Sequence, residues 1–283
     1  MSAVTDLRVF GFLPADSNRA KTLSRTEVER YNEQGFLSGI PALGEDEARD
    51  FRRYIDDLLA AVVNAGDGRN SYSINVYHLV CRGLYDMAVH PRMLALVEDI
   101  LGPSFVLWGS HLFAKMPGDG KEVPFHQDAV FWPLTPSKTV TIWLAVDDVD
   151  ADNAAMQFVP GSHLHGALEH EEVGEGDTKV LAKQLKDMAP WSDRFVNELP
   201  SGYVSLHSDL LLHGSAANRS SRRRAGLTLR YAASAVRLTD GFDEWRTKSI
   251  HGRGCAGEEF WANVSRPEGE HPEWMVPGGI DAS

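Results

Sequence analysis

The chain is short of cysteine, short of positive charge and without any long apolar run, and each shortage excludes something. Two cysteines, Cys81 and Cys255, in 283 residues are too few for a disulfide-stapled secreted scaffold, so both are expected to be free thiols in a reducing compartment. Lysine and arginine number 28 against 40 aspartates and glutamates, a formal charge of -12. Phosphate backbones recruit the opposite balance, so nucleic acid is not an expected partner, although a local basic cluster can still outvote the global charge at a small-molecule site. No stretch approaches the ~18 apolar residues of a membrane span. The opening MSAVTDLRVFGFLPADS puts Asp6 early and lacks a signal-peptide h-region. A soluble, cytoplasmic protein is expected. Walker A, a GxGxxG after a strand and a GxSxG elbow are all missing. No repeat or low-complexity linker divides the chain, which favours one domain over 1–283.

What is present is a 43% hydrophobic composition, ample for a core, and a change of period along the chain. Ser24 and Glu27 form a capping box ahead of Val28 and Tyr31. Over 45–65, Ala48, Phe51, Ile55, Leu58, Leu59 and Val62 recur at helical spacing. A shorter helix is predicted over 91–101, with Pro91 in its first turn and Gly102 ending it. From Phe105 the period becomes two, with strand-like runs over 105–116, 139–147, 155–160, 202–207, 210–215 and 226–236. Helices followed by many short strands predict a mainly β fold, a sandwich or barrel with helices against one sheet. Its parts are a helical region at about 24–102, a β core at about 105–236 and a C-terminal tail at 237–283. The segment 164–200 is polar and acidic, with a short helix expected in it. Glu169, Glu171, Glu172, Glu175 and Asp177 crowd together with Gly174 and Gly176, which suits either a mobile cover or a solvated loop.

The chemistry begins at His126-Gln127-Asp128. A mononuclear Fe(II) oxygenase needs two imidazoles and one carboxylate on one face of the metal, and alternate residues of a strand point the same way. Chance alone supplies about 1.6 His-x-acid pairs (11 × 40/283), and the chain holds four: His126/Asp128, His170/Glu172, His207/Asp209 and His271/Glu273. His170 lies in the acidic insertion and His271 in a Pro/Gly-rich tail, where solvated surface histidines are expected. His207/Asp209 is a rival, since it lies on strands with His213 nearby. Three ligands from one short stretch would need an unusual bend, whereas His213 stands 87 positions after His126 (213 − 126) on a separate strand. That would let two sheets contribute ligands.

HQDAVFWPLTPSKTVTIW, the PGSH at 160–163 and HGSAANRSSRRR at 213–224 together resemble the phytanoyl-CoA dioxygenase family, over roughly 77–236. The resemblance implies a double-stranded β-helix (jelly-roll, cupin-like) core. It implies that His126, Asp128 and His213 bind Fe(II), that Arg224 and Ser215 hold the distal carboxylate of 2-oxoglutarate, and that Trp143 lies beside this cosubstrate; Gln127 is placed in the same cofactor-binding set. The implied activity is 2-oxoglutarate- and dioxygen-dependent hydroxylation of a small molecule. The residues agree, because a dianion needs a fixed cation at its far end and guanidinium meets carboxylate through two parallel hydrogen bonds. Arg222 and Arg223 are expected on a solvated turn. If Arg224 faces the pocket, Gly226, Thr228 and Arg230 share its face, while Leu227, Leu229 and Tyr231 pack outward.

By the same parity, Gly109, His111, Phe113 and Lys115 share one face, so His111 and Phe113 are substrate candidates together with Arg230, Asn75 and His78. Arg230 could meet a substrate anion or a protein acid. This lining favours a small polar or anionic metabolite such as an amino acid, an aminophosphonate or a natural-product intermediate. Desaturation, ring formation or acyl-CoA hydroxylation would use the same site. A halogenase would replace Asp128, a zinc hydrolase would not need Arg224 and Ser215, and a non-catalytic cupin would be expected to have lost a ligand.

Overall fold

The computed structural model describes residues 10–174, 179–239 and 241–270. Helix α1 (Arg25–Gln34) starts at the expected box: the Ser24 side chain accepts from the Glu27 N–H, and the Glu27 carboxylate accepts from the Ser24 N–H. It stops where Gly35 turns left-handed. Helix α2 (Glu45–Asn64) buries the predicted stripe from Ala48 to Val62, and α3 (Arg82–Ala88) and α4 (Pro91–Leu101) follow. The strands, in chain order, are β1 (Phe36–Pro41), β2 (Ile74–Asn75), β3 (Phe105–Lys115), β4 (Val123–His126) and β5 (Leu134–Thr135). Then come β6 (Thr139–Ala145), β7 (Gln157–Phe158), β8 (His170–Glu172), β9 (Lys183–Leu185) and β10 (Phe195–Val196). The last are β11 (Tyr203–His207), β12 (His213–Ser215), β13 (Arg224–Ala233), β14 (Arg237–Leu238) and β15 (Ile250–Arg253).

Two antiparallel sheets form the jelly roll. The larger runs β1-β11-β6-β13-β3-β15 with β2 attached to β3, and the smaller runs β10-β7-β12-β4. They meet through side chains such as Phe36 and Phe158, whose ring centroids are 4.8 Å apart. The outer face of the large sheet packs on the helices. Leu227, Leu229 and Tyr231 share one buried cluster with Ile55, Leu58, Leu96 and Val97, which is the face that strand parity assigns them. At about 25 cal/mol per Å² of apolar surface removed from water, this layer supplies the main drive to fold.

The differences from expectation have identifiable causes. Strand β1 lies inside the region expected to be helical, because Gly35 ends α1 and frees Phe36, Leu37 and Ile40 to pair with β11. The tail is not a tail: β15 extends the large sheet beside β3, and Trp261 is buried. Among the described residues, 164–200 holds the ribbon β8–β9 in place of the expected helix. Arg222 pairs with Asp150 on the exposed turn, but Arg223 does not belong there. Its guanidinium lies between Asp147, at 2.8 and 2.9 Å, and Asp56, at 2.6 Å. Asp147 is buried and also accepts the Ala225 N–H at 2.9 Å and Arg52 at 3.1 Å.

This network ties α2 to the start of β13. Asp147→Ala removes the acceptor while Arg223 stays partly buried, so it should cost about 3 kcal/mol or more in urea unfolding, whereas Arg222→Ala should leave the midpoint unmoved. Equal midpoints for the two variants would refute the network's role.

Candidate functional site

The two histidines of the metal-type cluster come from one cross-strand pair. His126 ends β4 and His213 begins β12, directly opposite each other, with ring centroids 4.2 Å apart. Asp128 follows in a 3-10 turn, Asp128–Val130, as the chain leaves the strand. One ligand-type atom from each of the three lies within 4.8 Å of the others, and all three side chains are buried. The smaller sheet thus supplies both histidines and the turn that leaves it supplies Asp128, so the expectation of two contributing sheets is corrected.

Their protonation suits a metal. His126 Nδ1 bonds the carbonyl of Pro124 at 2.8 Å, and His213 Nδ1 bonds that of Leu211 at 2.9 Å. Each carbonyl takes the Nδ1 proton and leaves the Nε2 lone pair for a ligand. Burial pushes the His213 imidazole well below its usual range, with His126 adding to the shift. Burial would push the Asp128 carboxyl up, but the imidazoles of His126, His207 and His213 outweigh it and hold the group well below the usual carboxylate range. A neutral His213 and an ionised Asp128 are ligand forms that a divalent ion requires.

The rival pair splits. His207 sits at the edge of the cluster, its Nε2 3.7 Å from Asp128 Oδ2. Asp209 turns away to the Ser137 hydroxyl at 2.6 Å, its carboxyl pushed up to about 6 by burial. His170 is not the solvated histidine expected: its Nε2 accepts the Gln127 N–H at 3.2 Å, and its Nδ1 bonds the Leu168 carbonyl. His271 lies outside the described residues.

A cavity of about 450 Å³ opens beside the cluster between the two sheets. At one end the buried Arg224 gives Nε to the Ala154 carbonyl at 3.1 Å, while its Nη2 has no hydrogen-bond partner. The buried Ser215 hydroxyl, in the same lining, has none either. Orphaned buried donors are costly, and both of these belong to residues of the cavity lining. The Trp143 ring lies 5.4 Å from the Arg224 guanidinium. Gly226 makes this possible, since a Cβ there would lie 2.0 Å from Trp143.

The other predicted residues divide. His111, Phe113, Arg230 and Asn75 line the cavity. His111 is stacked on Phe113 at 4.0 Å and bonds the Tyr72 carbonyl; burial, then Arg230, pushes it down to about 3, so it is neutral. His78 does not line the cavity: it lies behind β3, bonded to Ser110 Oγ at 2.7 Å and the Lys248 carbonyl at 2.8 Å. Gln127 is also corrected, because alternation between His126 and Asp128 turns it away. Its amide instead pins the carbonyls of Gly166 and Leu210 and the Leu168 N–H. Lys115 is buried among the carbonyls of Lys121, Ser215 and Ala216. Sequence parity missed Trp108, which reaches the cavity because a bulge in β3 lets it and Gly109 share the inner side. It also missed Trp132, within the HQDAVFW run, and Trp245, from the supposed tail.

Comparison with known proteins agrees with this geometry. The family model described as phytanoyl-CoA dioxygenase matches residues 31–226. The chain is 28% identical over 156 residues to the peroxisomal phytanoyl-CoA dioxygenase of Rattus norvegicus, covering 53% of this chain and 46% of that one. It is 32% identical over 161 residues to a probable alpha-ketoglutarate-dependent hypophosphite dioxygenase of Stutzerimonas stutzeri, covering 56% and 55%. It thus spans about half the length of these relatives. Among solved structures it resembles the non-heme monooxygenase ThoJ in its apo form, with TM-score 0.74 and 26% identity over 86% of this chain and 88% of that one.

The cluster should take up one divalent transition-metal ion per chain. His126→Ala, Asp128→Ala and His213→Ala should each abolish uptake without unfolding the protein, and His207→Ala should retain it. Elemental analysis after dialysis against Fe(II) or Co(II) decides, and loss with His207→Ala alone would overturn the assignment.

Proposed function

The chain belongs to the phytanoyl-CoA dioxygenase family, and on that premise we propose that it is an Fe(II)- and 2-oxoglutarate-dependent dioxygenase that hydroxylates a small polar or anionic metabolite. The observation that carries the proposal is the pair of partnerless buried donors, Arg224 Nη2 and Ser215 Oγ, in one cavity with the His126, Asp128 and His213 cluster. A metal-dependent hydrolase has no use for a desolvated guanidinium at that place, whereas a keto-diacid spanning the cavity presents a carboxylate to it.

When bound, iron with 2-oxoglutarate and dioxygen supplies the oxidation: the keto acid leaves as succinate and carbon dioxide, and the second oxygen atom enters a substrate C–H bond. Orientation falls to the chain. His126, Asp128 and His213 would hold the ion, with reactants reaching it from the cavity. Arg224 and Ser215 would take the far carboxylate of the cosubstrate, with Trp143 in the same lining. The aromatic rings of the lining, among them Phe131, Trp132 and Trp245, limit water at the reacting carbon. Asn75, His111 and Arg230 offer the polar groups that orient a substrate.

Arg224→Ala should weaken 2-oxoglutarate binding by roughly 2–5 kcal/mol, the cost of truncating one partner of a buried charge pair, with Arg222→Ala unchanged. Anaerobic calorimetry at fixed Fe(II) measures this, and succinate release with a product heavier by one oxygen identifies the reaction. Retained affinity in Arg224→Ala would refute the cosubstrate assignment.

A further inference from the structure

The cavity has a second arginine that the cosubstrate assignment leaves unused. Arg230 stands six residues after Arg224 on the same inward face of β13. Its guanidinium lies over the Trp132 ring, 5.3 Å from the centroid. Its Nε is buried without a hydrogen-bond partner, and no ion pair reaches it among the described residues. Asp128 is the acid whose field opposes the effect of burial on Arg230, yet the two are not within ion-pair distance. A metal ion held by Asp128, His126 and His213 would draw on that carboxylate's charge, leaving Arg230 to a ligand.

The surroundings define what that ligand looks like. Trp108 is packed edge-on against Trp132 at 4.9 Å and against Trp245 at 5.7 Å, so three indoles gather at this end of the cavity. The Trp108 Nε1 is a second buried N–H with no partner. Two partnerless donors, one of them cationic, ask for negatively charged oxygens; a cationic ligand is repelled and a wholly apolar one leaves both unpaired. Flat indole surfaces favour a conjugated ring, which packs on them by offset or edge contacts. Trp245 is placed with purpose in the fold: its turn, Asp243–Lys248, is tied to the β3 region through the bond between His78 Nε2 and the Lys248 carbonyl.

Building on the dioxygenase reading above, we propose that the substrate is a small aryl acid, its carboxylate paired with Arg230 and its ring held among Trp108, Trp132 and Trp245. Arg230 is the specificity-determining residue, selecting acid over neutral analogue. Its place in a cross-strand row with Thr141 and His207 puts the carboxylate on the side of the cavity where His207 stands 3.7 Å from Asp128. A short acid therefore presents its side-chain carbons to the site.

The test uses indole-3-acetate and phenylacetate, their amides, and cyclohexylacetate as probes. Each is titrated anaerobically by calorimetry into the protein with Fe(II) and 2-oxoglutarate. The aryl acids should bind about tenfold or more tighter than their amides and tighter than cyclohexylacetate. Arg230→Gln should erase the acid preference, Arg230→Lys should keep part of it, and Trp132→Leu should erase the aryl preference. Equal affinity for acids and amides in the native protein, or no aryl acid binding at millimolar concentration, overturns the proposal without any variant. A loss of 2-oxoglutarate affinity in Arg230→Gln, with acid preference intact, overturns it by assigning Arg230 to the cosubstrate. Repeating the titrations without Fe(II) and 2-oxoglutarate separates the two readings. Acid selectivity in a protein that fails to bind 2-oxoglutarate keeps the subsite and discards the dioxygenase, and bound 2-oxoglutarate with no acid selectivity does the reverse.

Discussion

Strand β13 has to satisfy two environments at once, and most of the molecule follows from how it does so. On one side Leu227, Leu229 and Tyr231 need apolar partners, and α2 and α4 supply them. On the other, Arg224, Thr228 and Arg230 line the cavity beside the metal-type cluster. Because side chains alternate strictly along a strand, the two demands are locked together: a slip of one residue would send leucines into the cavity and guanidinium groups into the helix layer. Pairing on both sides, with β3 and with β6, fixes that register over nearly the whole strand.

The treatment of buried cations separates structure from function here. Arg223 meets two carboxylates. Lys115, whose ammonium burial and then Arg224 push down to about 7, is ringed by three carbonyls. The fold therefore has the means to pair a cation where pairing serves stability. Arg224 keeps one nitrogen partnerless, and Arg230 keeps its Nε so, both on the same cavity wall. Unpaired donors beside fully paired cations, in one small region, are the observation on which the proposed ligand contacts rest.

Much of this was legible in the sequence where a single local rule governs. The capping box at Ser24, the stripe of α2, and the inward set Arg224, Thr228 and Arg230 each depend on one periodicity that tertiary contacts did not override. The cluster was legible because His126 and Asp128 share a strand-end spacing and His213 heads its own strand. What failed needed information that pairs distant segments. Nothing in Phe36–Pro41 announces that Tyr203–His207 will be its neighbour, so β1 passed as part of a helical region. Trp108 defied parity because the bulge that turns it inward depends on the register with β13. Gln127 and His78 are polar, near the motif or the strand, and plausible as ligands, but their hydrogen bonds go to backbone groups 39 and 170 residues away.

The lining of the cavity divides between regular strands and loops, and that division matters for specificity. His213 and Arg224 rest on β12 and β13, each paired on both edges, a rigid seat for groups whose geometry has to be fixed to within a fraction of an ångström. The 3-10 turn with Trp245, and Phe242 before it, line the cavity beside Trp108, while Val180 and Leu181 from the acidic insertion line it near Ser215. Those segments carry few ladder bonds, and loops on a rigid scaffold are where recognition can vary without disturbing the chemistry. The regions read at first as tail and insertion thus shape what enters, while the regular strands hold the reacting groups. That division explains why the kind of chemistry follows from a few motif residues, whereas the substrate end depends on Trp108 and Trp245, which no motif contains, as well as on Trp132.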